Sequence, residues 1–222
     1  MVDGRVKHVL AIDTAGPVIG VALRHGAEVR VRQERVERGA EARLVPWALE
    51  LCAEAGVSLD RLDGLAVSVG PGAFTGIRVG LSTAIGLALA SDRPLWPCMS
   101  LTTRAARAST TGRVLAMLDA RKSRVYAAWY EAGVLQGAPT DVEPEWACTR
   151  FAGPFLATGE GARVYAAAVE AAGGTLCSDA EDPGVDQLAI LGASALERGE
   201  GVDAVHVRPL YVREPDATPP KR

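Results

Sequence analysis

The chain has 222 residues, 48% of them hydrophobic but only 5% aromatic, enough to bury a largely aliphatic core in one large domain or two small lobes. Its formal net charge of −3 argues against a stand-alone nucleic-acid binder. No apolar run approaches bilayer length and no leader pattern precedes Val9, so the expectation is a cytoplasmic protein without a membrane partner.

The chain opens on a meander: 9–12 reads as a strand, 13–17 as a turn, 19–23 as a second strand and 28–36 as a third. Residues 42–55 read as a helix whose apolar face includes Leu44, Ala48, Leu51 and Cys52, stopped by Gly56. An apolar run at 65–69 predicts a buried strand. It leads into Gly70-Pro71-Gly72-Ala73-Phe74-Thr75-Gly76-Ile77-Arg78-Val79-Gly80 and then a small-residue helix over 81–90. Pro94 and Pro97 bracket a short segment before a polar helix at 100–109. Thr110-Thr111-Gly112 is the expected boundary between a first lobe, 1–111, and a second, 112–213. Beyond it the pattern restarts: Val114 to Asp119 echoes Val9 to Asp13, and 125–130 stands where 19–23 stood. A strand at 155–158, helices at 162–172 and 185–198, and an extended segment at 205–212 follow. The proline-containing end, 214–222, reads as a flexible tail.

Glycines this dense at a strand-to-helix turn permit positive φ, close backbone approach and exposed helix N–H groups. Two readings follow: tight packing of the next helix, or a phosphate cradle whose spacing matches neither the Walker A nor the dinucleotide pattern. Gly76, Gly80, Ala84 and Ala88 fall at successive i, i+4 positions and form one ridge of minimal side chains. The ridge either packs inside its own lobe or admits a helix of a second subunit, in which case Gly80→Leu would break assembly and spare the fold. Asp13 ends a strand at a turn, as an Asx-turn former or as a carboxylate for magnesium or base chemistry. Ser68 lacks the G-x-S-x-G context of a nucleophile. Arg104, Arg107 and Arg113, then Arg121, Lys122 and Arg124, read as solvated basic clusters. Cys52, Cys98, Cys148 and Cys177 are far apart, as are His8, His25 and His206, which predicts reduced core thiols and no metal site.

As a string, GPGAFTGIRVGLSTAIGLA resembles the hallmark of the TsaB (YeaZ) family. The opening Val9 to Thr14, the segment Leu118 to Arg121 followed by Val125-Tyr126, and the ending Arg208 to Arg213 are similar to other motifs of that family. The resemblance implies an α/β fold of two lobes with mixed sheets, the actin–Hsp70–sugar-kinase (ribonuclease H-like) architecture. In active members of that architecture nucleotide sits between the lobes, at turns that here are 13–16 and 119–122. Asp13, Thr14, Gly70, Gly72, Thr75 and Arg121 are accordingly the candidate anion or nucleotide residues, with ATP or ADP between the lobes or at a partner interface the ligand and no cofactor required.

The family implies a non-catalytic accessory subunit in the formation of threonylcarbamoyladenosine in tRNA. It would pair with the TsaD transferase as a heterodimer, work with the TsaE ATPase, and meet tRNA only through that complex; alone it could form a homodimer. The candidate interface is Gly76, Gly80, Ala84 and Ala88 with Leu44, Ala48 and Leu51 of the preceding helix. Many relatives keep a histidine where this chain has Ala40. The alternative from another class is a small ATP-dependent kinase or ATPase of the same architecture.

Overall fold

The computed structural model describes residues 7–213; the expected tail, 214–222, lies outside them. The first sheet contains β1 (His8–Asp13), β2 (Val18–His25), β3 (Glu28–Arg35), β4 (Gly64–Ser68) and β5 (Leu95–Cys98) in the order β3-β2-β1-β4-β5. The β1–β2–β3 meander is antiparallel, whereas β4 and β5 add parallel to β1. Helices α1 (Glu41–Glu54) and α2 (Phe74–Ser91) supply the crossovers before β4 and β5, and α3 (Ser100–Ala108) follows β5.

The second sheet repeats the first. β6 (Arg113–Arg121), β7 (Arg124–Glu131), β8 (Val134–Leu135) and β9 (Thr140–Val142) form the antiparallel half, and β10 (Phe155–Thr158) and β11 (Gly174–Leu176) join β6 in parallel. Short helices α4 (Pro144–Cys148), α5 (Glu160–Val164) and α6 (Ala166–Ala171) lie along this stretch, and α7 (Val185–Glu197) closes it. Two mixed sheets of the same strand order are the two-lobed architecture that the sequence repeat implied.

The central strands of each sheet are buried on both faces, which is why β1 and β6 read as near-continuous apolar runs rather than as alternating strands. Leu10, Ile12, Leu65 and Val67 face Leu44, Leu51, Leu81 and Ala84 of α1 and α2. Their neighbours Val9, Ala11 and Ala66 face Leu188, Ala189 and Ala193 of α7. In the second lobe Leu115 and Met117 meet Ala147 and Ala162, and Val114, Ala116 and Leu118 meet Leu101 and Ala105 of α3. The boundary at residue 112 therefore separates the sheets but not the layers: α3 covers the second sheet, and α7 returns to cover the first.

Most element limits differ from the expected ones by a residue or two, with three exceptions. α2 begins at Phe74 rather than 81, so Gly76 and Gly80 are helical. The helix expected over 162–172 is broken at Tyr165, whose φ of −110° and ψ of 36° turn its ring onto the second-lobe core. The expected extended segment over 205–212 starts in a 3-10 turn, Ala204–His206, capped by Asp203 accepting from the Val205 N–H at 3.0 Å. By length and composition α2 also reaches what a bilayer crossing needs, contrary to the expectation that no apolar run does. Its apolar character serves the lobe instead, because Ile77, Leu81, Ala84 and Ala88 are in the core. All four cysteines are free; three are buried and Cys177 is half-buried.

Candidate functional site

A cleft of about 1350 Å³ separates the lobes. Its walls include the turn after β1 (Thr14 to Pro17), the turn after β6 (Asp119 to Lys122) and the start of α2. The two turns are built alike: Asp13 Oδ1 accepts from the Ala15 N–H at 2.9 Å, and Asp119 Oδ1 from the Arg121 N–H at 2.9 Å. This is the internal repeat at the level of single hydrogen bonds.

The glycine-rich run is filled by the protein itself. A Cβ on Gly72 would strike the Ala15 carbonyl, one on Gly76 the Thr14 carbonyl, and one on Gly80 the Thr14 hydroxyl, all well inside contact distance. Gly70, at φ +110°, leaves room for the Leu210 carbonyl, which an added Cβ would approach to 2.6 Å. Thr14 Oγ1 donates to the Gly76 carbonyl at 2.7 Å, and the Ala73 N–H donates to the Ala15 carbonyl at 2.8 Å. The glycines thus let α2 lie against the β1 turn, with Thr14 and Ala15 in the space that side chains at 72, 76 and 80 would need. Of the other candidate anion residues, Thr75 is exposed at the start of α2 and Arg121 extends into solvent, its side chain 87% exposed.

Asp13 is fully buried, and its second oxygen meets Arg104 Nη1 at 3.2 Å. Arg104 is 1% exposed, which corrects its assignment to a solvated cluster: the guanidinium also donates to the Ser100 carbonyl at 2.9 Å. The Asp13 carboxylate is thus faced by a guanidinium from within the chain.

From the second lobe Glu160 reaches the same place. An added Cβ on Gly16 would lie 3.1 Å from Arg104 Nη2 and 3.4 Å from Glu160 Oε2, so the two side chains flank that glycine. Glu160 Oε2 is enclosed and has no hydrogen-bond partner among the described residues. Burial pushes the Glu160 carboxyl up to about 7; Arg104 pulls it down, while Asp13 and Asp119 add to the rise. An acid whose pKa rises on folding makes stability fall as pH climbs from about 4.5, its unfolded value, to about 7. Urea midpoints for the wild type should therefore decline from pH 5 to pH 8, and Glu160→Gln should flatten that decline; equal slopes would exclude Glu160 as its source.

The seven interface candidates are placed in the interior. Leu44, Ala48, Leu51 and Ala84 are 0% exposed, Ala88 is 1% exposed, Gly80 is buried, and Gly76 is half-buried against Thr14. The ridge is thus engaged by its own lobe, and what α1 and α2 offer outward is their opposite face. There Phe74, Arg78, Ser82, Gly86 and Ala90 follow one another at i, i+4 spacing, all exposed. Apolar side chains also reach solvent on both helices: Val45 and Leu49 of α1 are 40% and 48% exposed, and Phe74 and Leu89 of α2 are 38% and 56% exposed.

Sequence reasoning missed Arg104 as a buried partner, Glu160, and the pair Gly159 and Gly161, which seat α5 on β6 as Gly72 and Gly76 seat α2 on β1. The Gly-x-Gly directly after β10 was the available signal. No group of three or more histidine, cysteine or acidic side chains able to hold a metal occurs among the described residues. Ala40 packs against the first-lobe core.

A family model described as "TsaD: tRNA N6-adenosine threonylcarbamoyltransferase" matches residues 31–220. The tRNA threonylcarbamoyladenosine biosynthesis protein TsaB of Escherichia coli is 32% identical over 92% of this chain and 94% of its own length. A Pseudomonas aeruginosa structure described as similar to the peptidase YeaZ superposes with a TM-score of 0.78 at 32% identity, covering 93% of this chain and 100% of that one. A second structure, YeaZ from Pseudomonas aeruginosa, gives a TM-score of 0.76 at 31% identity over 92% and 99% of the two chains. With the glycine-rich hallmark, the paired lobes and these relatives in agreement, the chain belongs to the TsaB (YeaZ) family.

Proposed function

We propose that this protein is an accessory subunit in tRNA threonylcarbamoyladenosine formation in the cytoplasm, docking a TsaD-like transferase on the outward face of α1 and α2 and performing no chemistry of its own. Gly86 carries the reading. It lies in the middle of α2, and an added Cβ there would meet nothing within 4 Å, so the fold itself has no need of a glycine at this position. A mid-helix glycine costs roughly 1 kcal/mol relative to alanine. Close approach of a partner helix over Ser82, Gly86 and Ala90, flanked by Leu49, Phe74 and Leu89, offsets that cost through contact and burial. Catalytic independence is disfavoured by the Arg104 guanidinium on Asp13 and by the chain's own backbone within the glycine run. No observation favours the kinase alternative. A TsaE-like ATPase then acts on the assembled pair, and tRNA is met through the complex.

Gly86→Gln is the direct test of the face. The variant is expected to stabilise the free chain by about 0.5–1 kcal/mol while weakening the heterodimer at least tenfold. Sedimentation velocity with the transferase of the same genome, beside urea unfolding, reads both. Unchanged assembly would move the interface elsewhere.

A further inference from the structure

The last described residues, 208–213, cross from one lobe to the other as a strap along the cleft. On the first lobe the Leu210 N–H donates to the Val69 carbonyl at 2.7 Å, and the Leu210 carbonyl covers Gly70. Arg78 Nε donates to the Tyr211 hydroxyl at 3.0 Å, and the Tyr211 ring lies 5.1 Å from that of Phe74. The Arg78 guanidinium itself sits 3.7 Å above the Phe74 ring. Two residues later the strap is held by the second lobe: Arg213 Nη1 donates to the Ala120 carbonyl at 2.9 Å, and Arg213 pairs with Asp141, which also receives Arg124 Nε at 2.7 Å. The Arg213 guanidinium lies 5.9 Å from the Tyr126 ring centre.

The two anchors differ in kind. The second-lobe anchor is half-sheltered, with side-chain exposures of 22% for Arg213 and 14% for Asp141. The first-lobe anchor of Tyr211 is Phe74 and Arg78, which are exposed on the outward face of α2.

We propose that the strap couples this outward face to the second lobe, so that a partner seated on Phe74 and Arg78 favours the docked strap and a strap released from the second lobe weakens the partner. The inference rests on the docking face proposed above. Covering Arg78 removes water from its bond to Tyr211 and so strengthens that bond, which gives the partner different affinities for the docked and released states. Linkage makes the effect reciprocal. Tyr211 and Asp141 are then positioning residues for assembly.

The experiment is a double-mutant cycle on heterodimer affinity with the full chain and its TsaD-like transferase. Asp141→Asn is expected to weaken binding by about fivefold or more and to speed hydrogen exchange at the Leu210 amide in the free chain. In an Arg78→Met background, where the strap no longer grips the docking face, Asp141→Asn should change affinity little further. Equal affinity of Asp141→Asn and wild type, or effects of the two substitutions that simply multiply, would overturn the coupling. Should Asp141→Asn fail to fold by circular dichroism, Arg213→Gln takes its place with the same expectations. A wild-type chain that does not bind the transferase overturns the docking reading itself, and the coupling with it.

Discussion

Replacing Gly76 by valine is expected to destabilise the protein by about 3 kcal/mol or more, at or above the usual upper end for forcing a side chain into a filled site, because the obstacle is backbone. The added carbons would have to displace the Thr14 carbonyl, a backbone atom of a buried residue directly after β1, and would break the 2.7 Å bond from Thr14 Oγ1 to the Gly76 carbonyl. Helix propensity favours most residues over glycine. Here that preference is reversed, because α2 can lie on the β1 turn only where it lacks side chains. Gly80→Leu follows the same logic against the Thr14 side chain, so it should unfold the lobe rather than only separate a partner. Denaturant unfolding checks both. A Gly76→Val chain as stable as wild type would mean that α2 is not seated on Thr14. Set beside Gly86→Gln, the comparison divides one helix into an inward face that the fold requires and an outward face that only a partner requires.

Arg104→Met is expected to cost a comparable 3–5 kcal/mol, because it leaves the fully buried Asp13 carboxylate with only the Ala15 N–H as a described partner. The guanidinium has a second consequence for folding: its bond to Asp13 ties α3 to the β1 turn across 91 residues of chain, while its donation to the Ser100 carbonyl holds it along α3 itself. Adding Asp13→Asn to Arg104→Met should recover part of the loss, because the unpaired charge is then gone. Urea midpoints of the two single variants and the double variant give the coupling directly. If the losses of the two single variants merely add, the pair is not a unit.

The strands and their repetition were legible because the central strands of both sheets are buried on both faces, and β1 and β6 announce themselves as apolar runs that reach an aspartate. Val9 to Asp13 and Val114 to Asp119 look alike for the physical reason that each ends in the same Asx turn. The glycine run was legible as a place of close approach, but not what approaches. Its neighbours are Thr14 and Ala15, about sixty residues away in the chain, and no local pattern reports a contact at that separation. Arg104 looked like part of a solvated cluster since α3 is polar in composition, yet α3 lies between the second sheet and α7 and encloses it. Periodicity assigned α7 an apolar face without revealing that the face returns to the first sheet. The interface reading failed at the level of residues for a related reason. Small side chains at i, i+4 spacing occur on both faces of α2, and only burial tells 76, 80, 84 and 88 from 82, 86 and 90.

The central claim is that this chain supports a modification performed by a partner. Threonylcarbamoyl incorporation into tRNA should be measured with the TsaC, TsaD and TsaE homologues of the same genome, with and without this protein. Incorporation that requires the wild-type chain, and that at limiting protein concentration falls with Gly86→Gln although that variant stays folded, is the predicted result. Equal incorporation in its absence would contradict the account.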